Sequence, residues 1–223
     1  MITDYSKQST LIDSNKVNNR INVLGCGATG SWVVFFLLKM GFKNIHVYDF
    51  DVIEEHNIPN QLFRETDIDK PKVEAMLEIY KEFFNDVDDR VHIHNDKITP
   101  INAVGLRDIV LNCVDSMKCR KTVYEKAFKY GHAEFLCESR LSVWGAYIFT
   151  LRKDGKNVNN EYEETLYDDE EAEVSSCGVS QTGLPAAVNA ASMIIMQMIC
   201  YLRGEDTLWK VQYSIPDMVT MVA

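Results

Sequence analysis

Three glycines, a lysine, and a set of carboxylates and amides carry the chemistry available to this chain. Gly25, Gly27 and Gly30 fall in INVLGCGATG (residues 21–30), between a short apolar run and a longer apolar one. In that setting glycines let the backbone turn tightly and approach a phosphate at the positive start of the following helix. Asp49 ends the second apolar run, where an acidic residue reaches a ribose hydroxyl. Those two features suit NAD, FAD, SAM or ATP alike. The text then continues with Asp51, Asn57, Gln61, Lys72 and, further on, Asp115. A dehydrogenase has no use for this second set. A triphosphate site does, because it needs a cation for the phosphates, a carboxylate for Mg²⁺ and amides that hold oxygens in line. Taken singly each has an ordinary explanation. Asp49 is a strand-end carboxylate, Asp115 caps a helix, and Lys72 is a solvated lysine in a first helical turn. Their occurrence together and in order favours the chemical reading.

The elements that must position these residues follow from periodicity. Ile21–Leu24 and Asn44–Tyr48 read as strands around an almost wholly apolar helix, Ser31–Met40, whose composition fits burial on two sides. Gly41 reads as its C-cap. Lys72–Phe84 is amphipathic, with Val73, Met76, Leu77 and Tyr80 at helical spacing. Arg90–His94, Asp108–Asn112 and Glu134–Cys137 read as strands, with a helix over Lys118–Tyr130. Strands alternating with helices predict an α/β fold, a Rossmann-like doubly wound and mainly parallel sheet. Trp144–Leu151 and Trp209–Ile215 extend it, and 185–203 is a long buried C-terminal helix. Residues 1–20 form an N-terminal arm, and 153–184 a mobile crossover loop, acidic and without periodicity to 174. No repeat or linker divides the chain, so 1–223 reads as a single domain.

Composition narrows the partners. The 223 residues carry 23 basic and 33 acidic side chains, a net charge of −10. That argues against nucleic acid or an anionic membrane, both of which want a basic face. Of six cysteines none forms a CxxC pair, so no structural zinc is expected. Without an apolar leader at the start, the thiols are expected to be reduced in a cytoplasm. The five histidines make no obvious ligand set. His92 and His94 share one strand face, and His56 lies beside Asn57.

Read in order, these segments resemble the ThiF/MoeB/HesA family, the adenylating domain of ubiquitin-activating-type enzymes. YSKQ at 5–8 looks like the family's YSRQ. VLGCGATGS matches its nucleotide turn, and DFDVIEEHNIPNQLF is similar to its DxDxVexSNLxRQ. DIDKPKVEA looks like DIGKPKAEA, and NCVDSMKCRK resembles its D-N-x-x-x-R segment. The chain most resembles compact stand-alone versions of the domain. The resemblance implies ATP and Mg²⁺ as cofactors and a homodimer. It also implies activation of the C-terminal carboxylate of a small ubiquitin-like or sulfur-carrier protein as an acyl-adenylate. It places Asp49 on the ribose, Asp51, Asn57 and Gln61 around the phosphates, Lys72 on the α-phosphate and Asp115 on Mg²⁺. Lys7 stands where the family has an arginine that reaches the partner's ATP site, although lysine makes no bidentate contact.

The pattern departs at Asn60, where the family carries an arginine that helps neutralise pyrophosphate. Arg64, four positions on, and Lys70 are the candidates to replace it. The departure leaves open a chain that binds nucleotide without turning it over. Cys177, in VSSCGVSQTG, is a candidate acceptor of the activated acyl group or a small residue packing a loop end. Arg140 is either a phosphate contact or the partner of Glu138. A Rossmann oxidoreductase fits the turn and Asp49 but leaves Asn57, Gln61, Lys72 and Asp115 unexplained.

Overall fold

The computed structural model describes residues 4–154, 160–167 and 182–222. Its strands are β1 Ile21–Leu24, β2 Ile45–Tyr48, β3 Val91–His94, β4 Arg107–Asn112, β5 His132–Leu141, β6 Gly145–Arg152, β7 Lys210–Ser214 and β8 Val219–Val222. They form one eight-stranded sheet in the order β3-β2-β1-β4-β5-β6-β7-β8. Pairing is parallel from β3 to β5 and antiparallel from β5 to β8. The chain winds from β1 outwards to β3, then returns to the other side of β1 as β4. That reversal opens a crevice beyond the carboxyl ends of β1 and β4, the usual ligand position in such sheets.

Helices α1 (Gly30–Lys39), α2 (Lys72–Lys81) and α7 (Leu184–Leu202) bury their apolar sides on one face of the sheet. On the other lie α4 (Pro100–Ala103), α5 (Met117–Thr122) and α6 (Asn160–Glu164). A short α3, Val87–Arg90, leads into β3. The expected doubly wound sheet with C-terminal additions is therefore the observed one. α7 is long and apolar enough to cross a membrane, but half of it is buried, and it packs against α1, β5 and β6. Gly41 has φ +88°, and a Cβ there would come within 2.9 Å of the Tyr5 ring. So the C-cap glycine also seats the N-terminal arm.

Several boundaries differ from expectation. The helix read over 118–130 is α5 followed by a π-helix, Val123–Lys129, closed by Tyr130 N–H donating to the Glu125 carbonyl at 3.0 Å. β5 runs four residues past Cys137 because β4 and β6 pair with its two sides. The arm folds as two 3-10 turns, Ser6–Gln8 and Ser14–Lys16. The segment after β6, read as a loop, holds α6 in its described part. β8 was not expected: all four of its residues are exposed, so no alternation marks it.

Candidate functional site

The glycine turn is fixed from both sides. Gly25 N–H donates to the Tyr48 carbonyl and Cys113 N–H to the Leu24 carbonyl, each at 2.8 Å. Gly25 has φ +85°, where L side chains are strained. A Cβ on Gly30 would lie 1.9 Å from the Gly25 carbonyl oxygen, so only glycine fits there. Gly27 is different, since the nearest atoms to a Cβ there are those of the Gln61 amide, at 3.7 Å, an ordinary contact. Asp49 grips the turn from β2, accepting from the Cys26 amide at 2.6 Å and the Asp51 amide at 2.9 Å. Burial raises its pKa, opposed by those two amides and by Lys72.

Asp51 and Lys72 are 21 residues apart in sequence and adjacent in space. The chain between them closes on itself through an isolated bridge, Val52 to Pro71, and Lys72 N–H donates to the Asp51 carbonyl at 2.9 Å. Closure brings the Lys72 ammonium 3.0 Å from the Asp51 carboxylate. Lys72 is not the solvated lysine of the ordinary reading, because its side chain is 9% exposed, whereas Asp51 is 49% exposed. Within the closed segment a 3-10 turn, Glu55–Asn57, buries Asn57, whose side-chain oxygen accepts from the Glu54 amide at 3.0 Å. Gln61 follows one turn later against Gly27. Its Oε1 and the Oδ1 of Asn60 are buried without a hydrogen-bond partner. Asn60 donates through Nδ2 to the Thr182 carbonyl at 3.4 Å, next to the start of α7.

Asp115 lies in the loop after β4, beside Gly25, whose added Cβ would sit 3.2 Å from the Val114 nitrogen. The cap of α5 is Ser116, whose hydroxyl accepts from the Cys119 amide at 3.3 Å. That corrects the capping role read for Asp115. The Asp115 carboxylate is exposed and accepts no hydrogen bond among the described residues. What holds the loop is Arg120, a buried guanidinium that donates to the carbonyls of Val114, Asp115 and Ser139 at 2.5, 2.9 and 2.9 Å. Sequence reasoning assigned Arg120 no role, although it ends the segment that carries Asp115. Glu138, fully buried beside it, was expected only as the alternative partner of Arg140.

The remaining expected residues are placed elsewhere. Arg64 and Lys70 converge on the buried carboxylate of Asp67 at 2.8 and 3.1 Å, and both also reach acidic residues of α2. Arg140 takes the alternative reading: it pairs with Glu138 at 2.7 Å, bonds Thr165 and lies 4.4 Å over the Phe149 ring. Lys7 is exposed on the arm, next to Gln8, which bonds the Lys39 carbonyl at the far end of α1. His46, His92 and His94 pack together on β2 and β3, with His46 Nδ1 3.1 Å from His94 Nε2. Among the described residues no group of three His, Cys, Asp or Glu is arranged to hold a metal ion. Cys177 lies outside the described residues. The five described cysteines are free, and burial raises the pKa of each, Cys119 to about 11 and Cys137 to about 12.

The residues at the crevice fit a magnesium nucleotide. Gly27 leaves a bare backbone under the helix start, and the Gln61 Oε1 beside it is buried without a hydrogen-bond partner among the described residues. Asp115, an exposed carboxylate that accepts no hydrogen bond among the described residues, matches a cation that takes few protein ligands and otherwise phosphate oxygens and water.

Comparison with known proteins bears on the family and the fold. The chain is 28% identical over 118 residues to the probable adenylyltransferase/sulfurtransferase MoeZ of Mycobacterium tuberculosis, 51% of this chain and 30% of MoeZ. It is 32% identical over 105 residues to the NEDD8-activating enzyme E1 catalytic subunit of Arabidopsis thaliana, 47% of this chain and 23% of that one. The chain thus spans under a third of these relatives' length. A solved structure of E. coli MccB, with MccA-N7isoASN, superposes with TM-score 0.79 at 17% identity over 98% of this chain and 68% of that one. The structure of MccB with ATP gives 0.75, also at 17%, over 98% and 67%. The ThiF family model matches residues 12–221, and the chain belongs to the ThiF family.

Proposed function

We propose that this chain is an ATP-dependent adenylyltransferase that activates the C-terminal carboxylate of a small ubiquitin-like or sulfur-carrier protein. The observation that carries the reading is the Asp51–Lys72 pair, at 3.0 Å and made by a closed segment that also brings Gln61 against Gly27. A buried ammonium next to a half-exposed carboxylate is a cation held ready for an anionic ligand. ATP lies along the turn with its ribose on Asp49 and its phosphates over Gly27, between Asn57, Gln61 and Lys72. The acceptor carboxylate attacks the α-phosphate, the bond to the β-phosphate oxygen breaks, and pyrophosphate leaves. Lys72 offsets the charge that builds on the α-phosphate. Asp115 would hold Mg²⁺, which would supply positive charge to the phosphate oxygens. The relatives' names support the activity, since MoeZ is named an adenylyltransferase and MccB has a structure with ATP. The active form is a homodimer in which Lys7 reaches the partner's phosphate site, and it works in the cytoplasm, where its thiols stay reduced.

A second reading, nucleotide binding without turnover, is favoured by one observation. Asn60 replaces the family's arginine, while Arg64 and Lys70 are held by Asp67. Pyrophosphate departure then has one fewer cation.

Thermal melting with Mg-ATP, Mg-AMP and NAD, on the wild type and Asp115→Ala, tests the proposal. A ligand at 100 times its Kd stabilises the native state by about 2.7 kcal/mol. Stabilisation by Mg-ATP that Asp115→Ala removes is the expected result. Stabilisation by NAD alone would replace the reading with an oxidoreductase. Binding of Mg-ATP with no AMP formed beside any carrier protein would select the second reading.

A further inference from the structure

Glu138, in β5 opposite the end of β4, is a carboxylate with no exposure to solvent. Its Oε1 accepts from Arg140 Nε at 2.7 Å, and its Oε2 from the Tyr162 hydroxyl at 2.7 Å and Asn112 Nδ2 at 3.5 Å. Arg120 Nε stands 3.9 Å from the same Oε2. The two arginines do different work. Arg120 holds the carbonyls of Val114 and Asp115. Arg140 holds the carbonyl and hydroxyl of Thr165, three residues past Tyr162. One buried charge thus joins the loop after β4 to the Tyr162–Thr165 segment. Burying a charge is expensive unless every partner is satisfied, and a packed apolar group of the same volume is often the more stable choice. Stability alone therefore does not account for a carboxylate here, and geometric specification does.

We infer that Glu138 is a positioning residue for the Asp115 loop, acting through Arg120 and braced by Arg140 and Tyr162. The inference rests on the reading of Asp115 as the carboxylate that holds Mg²⁺. With Glu138 in place Arg120 has a fixed orientation, and its two donors pin the loop at Val114 and Asp115. Replacement by the neutral amide keeps the volume but removes the charge that orients both guanidinium groups. The loop then samples other positions, and the metal-dependent part of nucleotide binding weakens.

The test is calorimetric titration of the full chain with ATP, once with Mg²⁺ and once with EDTA, for wild type, Glu138→Gln and Tyr162→Phe. The expected result is a fall of about tenfold in Mg-ATP affinity for Glu138→Gln, with ATP affinity in EDTA unchanged. Tyr162→Phe keeps its ring in the apolar core and is expected to lose about threefold by the same measure. A purely structural role would lower both affinities together or neither. If wild type is metal-dependent and both variants match it, the inference is overturned and the metal reading stands. If wild type binds ATP equally with and without Mg²⁺, the metal reading fails and the inference falls with it. Should Glu138→Gln not fold, the Tyr162→Phe result decides by itself.

Discussion

Two clusters of charge sit in the connection between β2 and α2, built from the same residue types with opposite outcomes. At Asp67 a wholly buried carboxylate is saturated: the Arg64 amide and guanidinium take it on one side, and Lys70 takes it on the other. At Asp51 a half-exposed carboxylate meets one ammonium at 3.0 Å, and the ammonium is the buried partner. The first cluster is closed and has nothing to give a ligand. The second is the one the proposed function uses, since an exposed, weakly held carboxylate can give way to a phosphate at low cost where the lysine is already desolvated. Charge in a functional stretch is available chemistry only where its partners leave it unsaturated. By that measure neither Arg64 nor Lys70 is spare to replace the arginine that Asn60 displaces.

The largest separation of the two clusters is expected from Lys72→Ala. Loss of the cation is expected to lower the rate of AMP formation by about 10²- to 10³-fold, or about 3–4 kcal/mol of transition-state stabilisation. Its partner Asp51 keeps access to water, so the melting temperature should move by about 3 °C or less. Radiolabelled AMP release, measured beside thermal melting, reads both. A loss of fold with no specific loss of turnover would break the comparison, since Lys72 would then be a structural cation like those on Asp67.

Asp67→Asn is the converse. The amide offers one acceptor oxygen in place of two, and it places donor hydrogens against Arg64 inside a dry site. The expected loss is about 2 kcal/mol of stability, seen as a drop of about 4–8 °C in melting temperature. The additional stabilisation by Mg-ATP should stay as in wild type. If instead the nucleotide effect disappears, the Asp67 cluster supports the site and the division drawn between the two is wrong.

The part of this arrangement that was legible beforehand was the part fixed by backbone. Gly25 and Gly30 are glycines because of a positive φ and a 1.9 Å approach, and any chain making this turn needs them. The central strands announced themselves because they are buried on both faces. Burial is continuous along β1, so the sequence INVL is apolar but for Asn22, whose amide is spent on the carbonyls of Arg107 and Ile109. Side-chain partners across long separations were not legible. Nothing local in VDSMKCR says that Arg120 turns back on the loop before it, or that the buried partner 18 residues further on is a glutamate. The Asp115 cap was misread for a similar reason, since aspartate and serine are both good N-caps and only geometry chooses Ser116. β8 escaped because an exposed edge strand has no face pattern to read.

A smaller effect separates both clusters from a polar group of the sheet, the histidines of β2 and β3. Burial, with Arg20, His92 and His94 adding to it, pushes the pKa of His46 down to about 4. In the unfolded chain the same ring titrates near 6.5. As pH falls, the unfolded state takes up this proton first. The His46 contribution is therefore whole above pH 6.5 and is lost between about 6.5 and 4. For Asp67, burial raises the pKa but hydrogen bonds from Arg64 and Lys70 outweigh it, and the net shift is downwards. Its contribution is present above about pH 4 and disappears only below. The two losses thus come in sequence. His46 is half-exposed, and screening leaves about 1 kcal/mol of its shift as stability, or about 2–4 °C. Melting curves from pH 7 to pH 3 on wild type, His46→Gln and Asp67→Asn should show the first decline reduced in the histidine variant alone. The steeper second decline should be reduced in the aspartate variant alone. A first decline unaltered by His46→Gln would assign it to another group, and a second decline unaltered by Asp67→Asn would mean that the closed cluster contributes less than its saturated geometry implies.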